Sequence, residues 1–484
     1  MNWDELLCEE RFAPVEEEPK QFSKYPISEF EKDYKTIISS AAFRRLQDKT
    51  QVFPLDKSDF VRTRLTHSLE VSTIAKQLGG MIINNFIIKN KSAATEKRGE
   101  DMVSHMRQIL DVLMCAGLLH DLGNPPFGHF GEVIIQDWFK NHFNDDSFTY
   151  RGEKIVDLLP ESTRKDMENF EGNAQALRIL AKCRGNPEGG GINLTYGVIN
   201  TLIKYPGFSA DVNKNSANIK EHKFGVFISE SEAFNEVTSK TGTGTNRHPL
   251  TYILEAADDI AYATADLEDA FKKGLFSLDA FISYYCGVIE DLEKKIKTKY
   301  DKSDNLIKGL QERLSNAARN QENDARHFHD WVSWARNWLM YAAAYKFTKE
   351  YEKIMNGEWE RDLFDYTVHH LSIQALKKSM QKFVYHSPAI LKLELSAHSI
   401  ITSLLDKFVA AALYFESEDL NYPQINSCAK LMDLVSENLK NDYASSQKDN
   451  EEYNLYLRFL LVTDFISGMT DSFAKELYQE LNGY

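Results

Sequence analysis

Residues 118–132 read LLHDLGNPPFGHFGE. An apolar helix is expected to run into this stretch. Met106, Leu110, Leu113, Met114 and Gly117 recur at helical steps over residues 102–119, and Gly123-Asn124-Pro125-Pro126 stops the pattern. A second helix is expected over 132–143. His120 and Asp121 therefore stand at a helix end beside a tight turn, where they can reach a metal without an unpaired charge being buried inside the helix. The same pair also fits a satisfied core histidine next to an aspartate that accepts bonds from backbone amides.

Outward from this stretch the helical period dominates. His67, Val71, Ile74, Ala75, Leu78 and Ile82 mark a helix over 65–86, and further helices are expected at 174–181, 249–273, 278–298, 328–355, 391–415 and 453–481. The best strand candidate is KFGVFIS at 223–229, inside a polar stretch, 209–248, expected to form an insertion or lid. Residues 182–193 read as a Gly-rich turn and 301–323 as a polar connector. The expectation is an all-α chain with a small irregular or β excursion: an N-terminal segment over 1–27, then one large unit over 28–484.

Composition excludes several classes. The 484 residues are 43% hydrophobic and 27% charged, with 12 Pro and 24 Gly, the balance of a soluble globular protein. No apolar run approaches the ~20 residues that span a bilayer. The opening MNWDELLCEE has neither a basic nor an apolar leader region, so no signal peptide and no membrane partner are expected. Cysteines 8, 115, 183, 286 and 428 form no CxxC pair, which fits a reduced, cytoplasmic protein. A net charge of −15 (57 basic against 72 acidic) gives a nucleic-acid effector no support; a bound polyanion would need a local basic pocket or a metal.

Two more segments bear on chemistry. His67 lies on the apolar face of its helix, and Arg64, three residues earlier, shares that face. A lone histidine there also fits a structural role; an arginine beside it fits one less well. In LEAADDIAYATAD, 254–266, Asp258, Tyr262 and Asp266 form one stripe at i, i+4 and i+8 among Ala256, Ala257, Ile260, Ala261 and Ala265. Carboxylates on so tightly packing a face need a partner or a metal, unless the face is solvated. His67, His120, Asp121 and Asp258 together offer two imidazoles and two carboxylates, a set suited to Mg²⁺, Mn²⁺, Fe²⁺ or Ni²⁺ more than to a structural zinc. His129 stands nine residues beyond His120, across a turn that can fold it back. Glu132, three residues on, can orient its imidazole for general acid or base work.

Six ordered strings carry a resemblance: AFRRLQDKTQV (42–52), RLTHSLEVS (64–72), HDLGNPPFGHFGE (120–132), FEGNAQALRI (170–179), HPLTYILEAADDIAYATADLEDA (248–270) and DFISGMTDSFA (464–474). From about residue 28 onward the chain resembles the bacterial deoxyguanosinetriphosphate triphosphohydrolase (dGTPase) family of HD-domain phosphohydrolases. The resemblance implies a helical HD core over about 60–275, a homo-oligomer that is often a hexamer, and cleavage of a dNTP, dGTP first, into deoxynucleoside and inorganic triphosphate. It implies metal ligation by His67, His120, Asp121 and Asp258, and a catalytic pair in His129 and Glu132. It also implies phosphate contacts from Arg64 and from Lys204-Tyr205-Pro206, and a sugar and base lining that includes Gln51, Val52, Tyr262 and Asp266. Two positions depart from related patterns. Thr36 stands where the family commonly has Arg. Asn124 stands where related vertebrate dNTP hydrolases have His, so their catalytic details do not carry over there. Another nucleotide phosphohydrolase, such as a 5′-nucleotidase, and a nucleotide-sensing scaffold without turnover are the competing readings.

Overall fold

The computed structural model describes residues 1–14, 27–55, 58–92, 99–184, 191–295, 312–316, 324–365, 367, 369–416 and 425–484. The chain is all-α, as expected. Among the described residues the named strands are a two-residue antiparallel pair, Thr149–Tyr150 with Glu153–Lys154. The expected strand at 223–229 does not form; its residues contribute a single bridge between Phe208 and Val226. The run finds no strand edge to pair with. Phe224, Val226 and Phe227 are buried separately, and the Ile228 amide donates instead to Asp166 Oδ2 at 2.8 Å.

Three helices frame the chemistry: Arg64–Ser92, Met106–Leu119 and Pro249–Lys272. The first two touch backbone to backbone because position 117 has no side chain. A Cβ on Gly117 would stand 2.4 Å from Ser72 Cα, and Ser72 Oγ donates across the same contact to the Met114 carbonyl at 2.8 Å. The third helix starts cleanly. His248 caps it, accepting from the Leu250 amide, and Pro249 follows where its missing N–H costs no bond. Its alanines 256, 257 and 261 are buried, and it lies against both Arg64–Ser92 and Asp324–Met355.

Buried apolar side chains form two clusters. The first contains the three framing helices and Asp324–Met355. The second contains Gly128–Phe143, Pro388–Ala412, Glu451–Ser467 and Asp471–Asn482. The turn after His120 carries the chain from one to the other. A buried ionic network also ties the C-terminal helices down. Asp464 receives Arg178 Nε at 2.9 Å, Gln175 at 2.7 Å and Lys182 at 3.0 Å. Burial raises its carboxyl, but Arg178 and Lys182 outweigh that and bring it to about 2.

The first residues of the chain pack into the body. Trp3 and Leu6, in the helix Trp3–Leu6, are completely buried, and Trp3 Nε1 donates to the Tyr351 hydroxyl at 2.8 Å. The expected helices over 102–119 and 453–481 each divide, into Glu100–Ser104 and Met106–Leu119, and into Glu451–Ser467 and Asp471–Asn482. Most of the expected connector 301–323, and positions 185–190 of the Gly-rich turn, lie outside the described residues.

Candidate active site

His67 is in the first turn of Arg64–Ser92, His120 caps the end of Met106–Leu119, and Asp258 is in the middle of Pro249–Lys272. The close approach at Gly117 brings the two imidazoles to 5.1 Å between ring centroids. Asp258 Oδ1 lies 3.3 Å from His67 Nε2 and 3.4 Å from His120 Nε2. One ligand atom from each of the three residues falls within 4.8 Å of the others, so the group could hold a divalent metal. The donor chemistry fits. His120 Nδ1 lies 2.9 Å from the Gly117 carbonyl, which only accepts, so that nitrogen carries the proton and the Nε2 lone pair faces the cluster. Buried His120 Nε2 has no hydrogen-bond partner among the described residues, as expected of a ligand atom.

Asp121, the fourth expected ligand, lies outside that group. Its Oδ2 is 3.5 Å from His120 Nε2 but accepts Arg64 Nη1 at 2.6 Å, while Oδ1 accepts Asn124 Nδ2 at 2.6 Å. Burial raises the Asp121 carboxyl, yet Arg64, His120 and His67 outweigh it and hold the group below the usual carboxylate range. Asp258 is likewise held well below it, burial being overcome by Lys204 and His120. Lys204 Nζ donates to Asp258 Oδ2 at 2.8 Å; burial disfavours its charge, but Asp258 and Glu255 raise the amine above its ordinary value. Burial disfavours positive charge at His120, but Asp121 and Asp258 outweigh it and raise the group above its ordinary value, so the site favours a cation at Nε2, where a metal would sit.

The expected His129–Glu132 pair is formed. Nδ1 of His129 donates to Glu132 Oε2 at 2.7 Å, which leaves Nε2 facing outward. Glu132 is fixed from behind by the Gly172 amide on Oε1 at 2.9 Å. The nearby Glu132 carboxylate raises His129 above the ordinary histidine value. The turn ahead of this pair is unusual: Phe127 (φ 63°) and Gly128 (φ 61°) are both left-handed. For a phenylalanine that costs on the order of 1–3 kcal/mol. Glycine suits position 128 because its φ is left-handed, and a Cβ there would also press on Arg64 Nη2, 2.4 Å away. Arg64 thus runs from Asp121 to the residue before His129.

Two participants escaped the sequence reading. Lys223 Nζ lies 2.9 Å from Glu171 Oε1, and it appears among the charges acting on both His129 and Glu132. Its only signal was a cation opening the supposed strand KFGVFIS, and Glu171 was visible only inside the 170–179 string. Gln51 Oε1 is buried without a partner among the described residues, and Val52 is half-buried against the first core. Tyr262 is half-buried, with Lys377 Nζ 5.6 Å from its ring centroid. Asp266 is 2% exposed, and burial together with Asp269 pushes its carboxyl well above the ordinary value. Tyr205 packs under Arg247, whose guanidinium is 5.4 Å from its ring centroid. Thr36, at the departing position, returns its hydroxyl to the Lys32 carbonyl at 3.0 Å.

The HD domain family matches residues 64–188. A deoxyguanosinetriphosphate triphosphohydrolase-like protein of Listeria monocytogenes is 40% identical, with both chains covered in full. A deoxyguanosinetriphosphate triphosphohydrolase of Yersinia enterocolitica is 32% identical over 93% of each chain. A deoxyguanosinetriphosphate triphosphohydrolase-like protein of Pseudomonas aeruginosa is 30% identical over all of this chain and 99% of its own. No helix among the described residues is long and apolar enough to cross a membrane. With its HD segment beginning at Arg64 and relatives aligned along its whole length, the chain belongs to the deoxyguanosinetriphosphate triphosphohydrolase family of HD-domain hydrolases.

Proposed function

We propose that the protein hydrolyses dGTP, and other dNTPs to a lesser degree, at the α-phosphorus to give a deoxynucleoside and intact triphosphate. The observation that carries this reading is the position of Arg64, which pairs with Asp121 beside the ligand cluster and reaches the turn that delivers His129. A divalent ion, Mg²⁺ or Mn²⁺, held by His67, His120 and Asp258 with Asp121 at its edge, would polarise a phosphoryl oxygen and lower the pKa of a water.

The chain's own residues supply the rest. Arg64, Lys204 and Lys223 offset the roughly four negative charges of a triphosphate ester in a protein whose net charge is −15. His129, kept protonated by Glu132, hands a proton from Nε2 to the departing 5′-oxygen. Tyr205 stands with Lys204 on the phosphate side, and Gln51, Val52, Tyr262 and Asp266 line the nucleoside side. Tyr262 leaves no room for a 2′-hydroxyl, and Asp266 accepts from the 3′-hydroxyl. A homo-oligomer, hexameric by resemblance, in a reducing cytoplasm belongs to the same reading; light scattering in solution tests the assembly.

The deciding experiment is product analysis for all four dNTPs with Mg²⁺ and with Mn²⁺, alone and in mixtures, in ¹⁸O-water. Label in triphosphate and unlabelled deoxyguanosine are expected. Label in the nucleoside, or stepwise orthophosphate release, refutes the assignment and favours a different nucleotide phosphohydrolase.

A further inference from the structure

The string at 464–474, DFISGMTDSFA, supplies none of the metal, phosphate or nucleoside contacts, yet its second aspartate reaches the site. Asp471 opens the helix Asp471–Asn482 and is 1% exposed. Its Oδ1 accepts the Phe127 amide at 2.9 Å. Its Oδ2 accepts the Thr50 amide at 3.0 Å and also the Thr50 hydroxyl. Lys49, next in the chain to Thr50, is 3% exposed, and its amine donates to the carbonyls of Asn124 and Ser467, both at 2.6 Å.

These bonds hold the Asn124–Phe127 turn at both ends, by the carbonyl of its first residue and the amide of its last. The turn ends in two consecutive left-handed residues, Phe127 and Gly128, and His129 follows directly. A left-handed phenylalanine persists only where its surroundings over-determine it. His129 is the second residue of the helix Gly128–Phe143, so the turn sets where that helix begins and where its imidazole points.

We propose that Asp471, aided by Lys49, is a positioning residue for His129: it pins the left-handed turn from the C-terminal helix and so fixes the imidazole against the substrate. This rests on His129 being the proton donor proposed above.

The test is a double-mutant cycle. Asp471→Ala and Asp471→Asn are made in the native and His129→Ala backgrounds. Ser472→Ala is the control, because Ser472 Oγ donates to Asp48 at 2.9 Å and ties the same helix to the same segment without touching the turn. The readouts are kcat, KM, bound metal and amide exchange. Asp471→Ala is expected to lower kcat about 10²-fold, the scale of an ångström-sized misplacement, with KM and metal content unchanged. Exchange should quicken over 124–131 and not over 249–272. In the His129→Ala background the same substitution should cost roughly threefold at most, because the residues act as one unit. Asp471→Asn, which keeps an acceptor oxygen, should recover part of kcat, and Ser472→Ala should match the native protein.

A full multiplicative loss in the His129→Ala background, an equal loss in Ser472→Ala, or a loss of metal would overturn the proposal in favour of simple docking of the helix. If Asp471→Ala does not fold, Asp471→Asn and Lys49→Met carry the same cycle. If His129→Ala keeps full kcat, the proton-donor reading has failed. The pinning is then judged by exchange alone: quickened exchange over 124–131 in the Asp471 variants supports it, and unchanged exchange overturns it.

Discussion

The side chains of His67 and His120 are 0% and 1% exposed, whereas that of His129 is 78% exposed. The first two sit on helices of one core, clamped by the contact at Gly117. The third sits on the opening turn of a helix belonging to the other core, held through a carboxylate and a strained turn. Ligands gain from rigidity and from exclusion of water, which keeps their lone pairs free of competing donors. A proton-transfer group must reach a substrate that comes and goes. The two histidine environments therefore fail differently when altered.

The largest expected effect strikes the buried side. Asp258→Ala should abolish both bound metal and turnover while far-UV circular dichroism stays nearly native. It leaves the Lys204 amine without its anion next to the two imidazoles. Full metal content with a normal rate would end the assignment of the cluster. On the exposed side, His129→Ala should retain the metal and bind dGTP but lose roughly 10²–10⁴ in kcat. A change confined to KM would reduce His129 to a substrate contact.

Glu132→Gln sharpens the contrast through pH. The Glu132 charge raises the His129 pKa, so the protonated imidazole survives to higher pH in the native protein. Removing that charge should move the alkaline limb of the kcat profile to lower pH. The sign for stability is the same. The pairing contributes fully below the ordinary histidine value of about 6.5 and is lost as pH rises through the raised folded value. A pH profile identical to the native one would show that Glu132 does not govern His129.

The smallest effect concerns choice of substrate. Native enzyme should favour dGTP over GTP by more than the ~10²-fold typical of an open apolar pocket, and Tyr262→Ala should narrow the preference toward that figure. Asp266→Ala should weaken every dNTP alike. Equal kcat/KM for GTP and dGTP in the native protein would displace the sugar from the Tyr262–Asp266 stripe.

Where apolar period and end signals agreed, the sequence was an adequate guide. The Pro249–Lys272 helix differs from expectation by one residue, because a proline and a caps-forming histidine mark its start and alanines mark its packed face. The ligand set His67, His120 and Asp258 was legible chiefly in the ordered strings that carry them, because the residues alone also fitted a structural His67, a core His120 and a solvated Asp258 face. Breaks caused by local competition were not. The helix expected over 102–119 parts at His105, where the Ser104 hydroxyl and His105 Nδ1 both turn to the Asp101 carbonyl. The run over 453–481 parts at Gly468, and Thr470 caps the helix that follows. Partnerships set by tertiary structure were hidden altogether. Nothing in KFGVFIS announces that Lys223 reaches Glu171, and nothing in the N-terminal MNW announces that Trp3 fills the core beside Tyr351.

The bonds from Asp471 span 344 positions to Phe127 and 421 to Thr50, and the bond from Trp3 spans 348 to Tyr351. During translation every expected ligand and His129 have left the ribosome long before these ties can form. A nascent chain thus carries the full chemical inventory but cannot lock the turn that aims it. Closing such long loops is slow, and until it happens apolar helix faces from two unfinished cores are exposed together. Catalytic competence therefore waits until the helix Asp471–Asn482 has been made and docked, and dependence on chaperones should be concentrated in the interval before that.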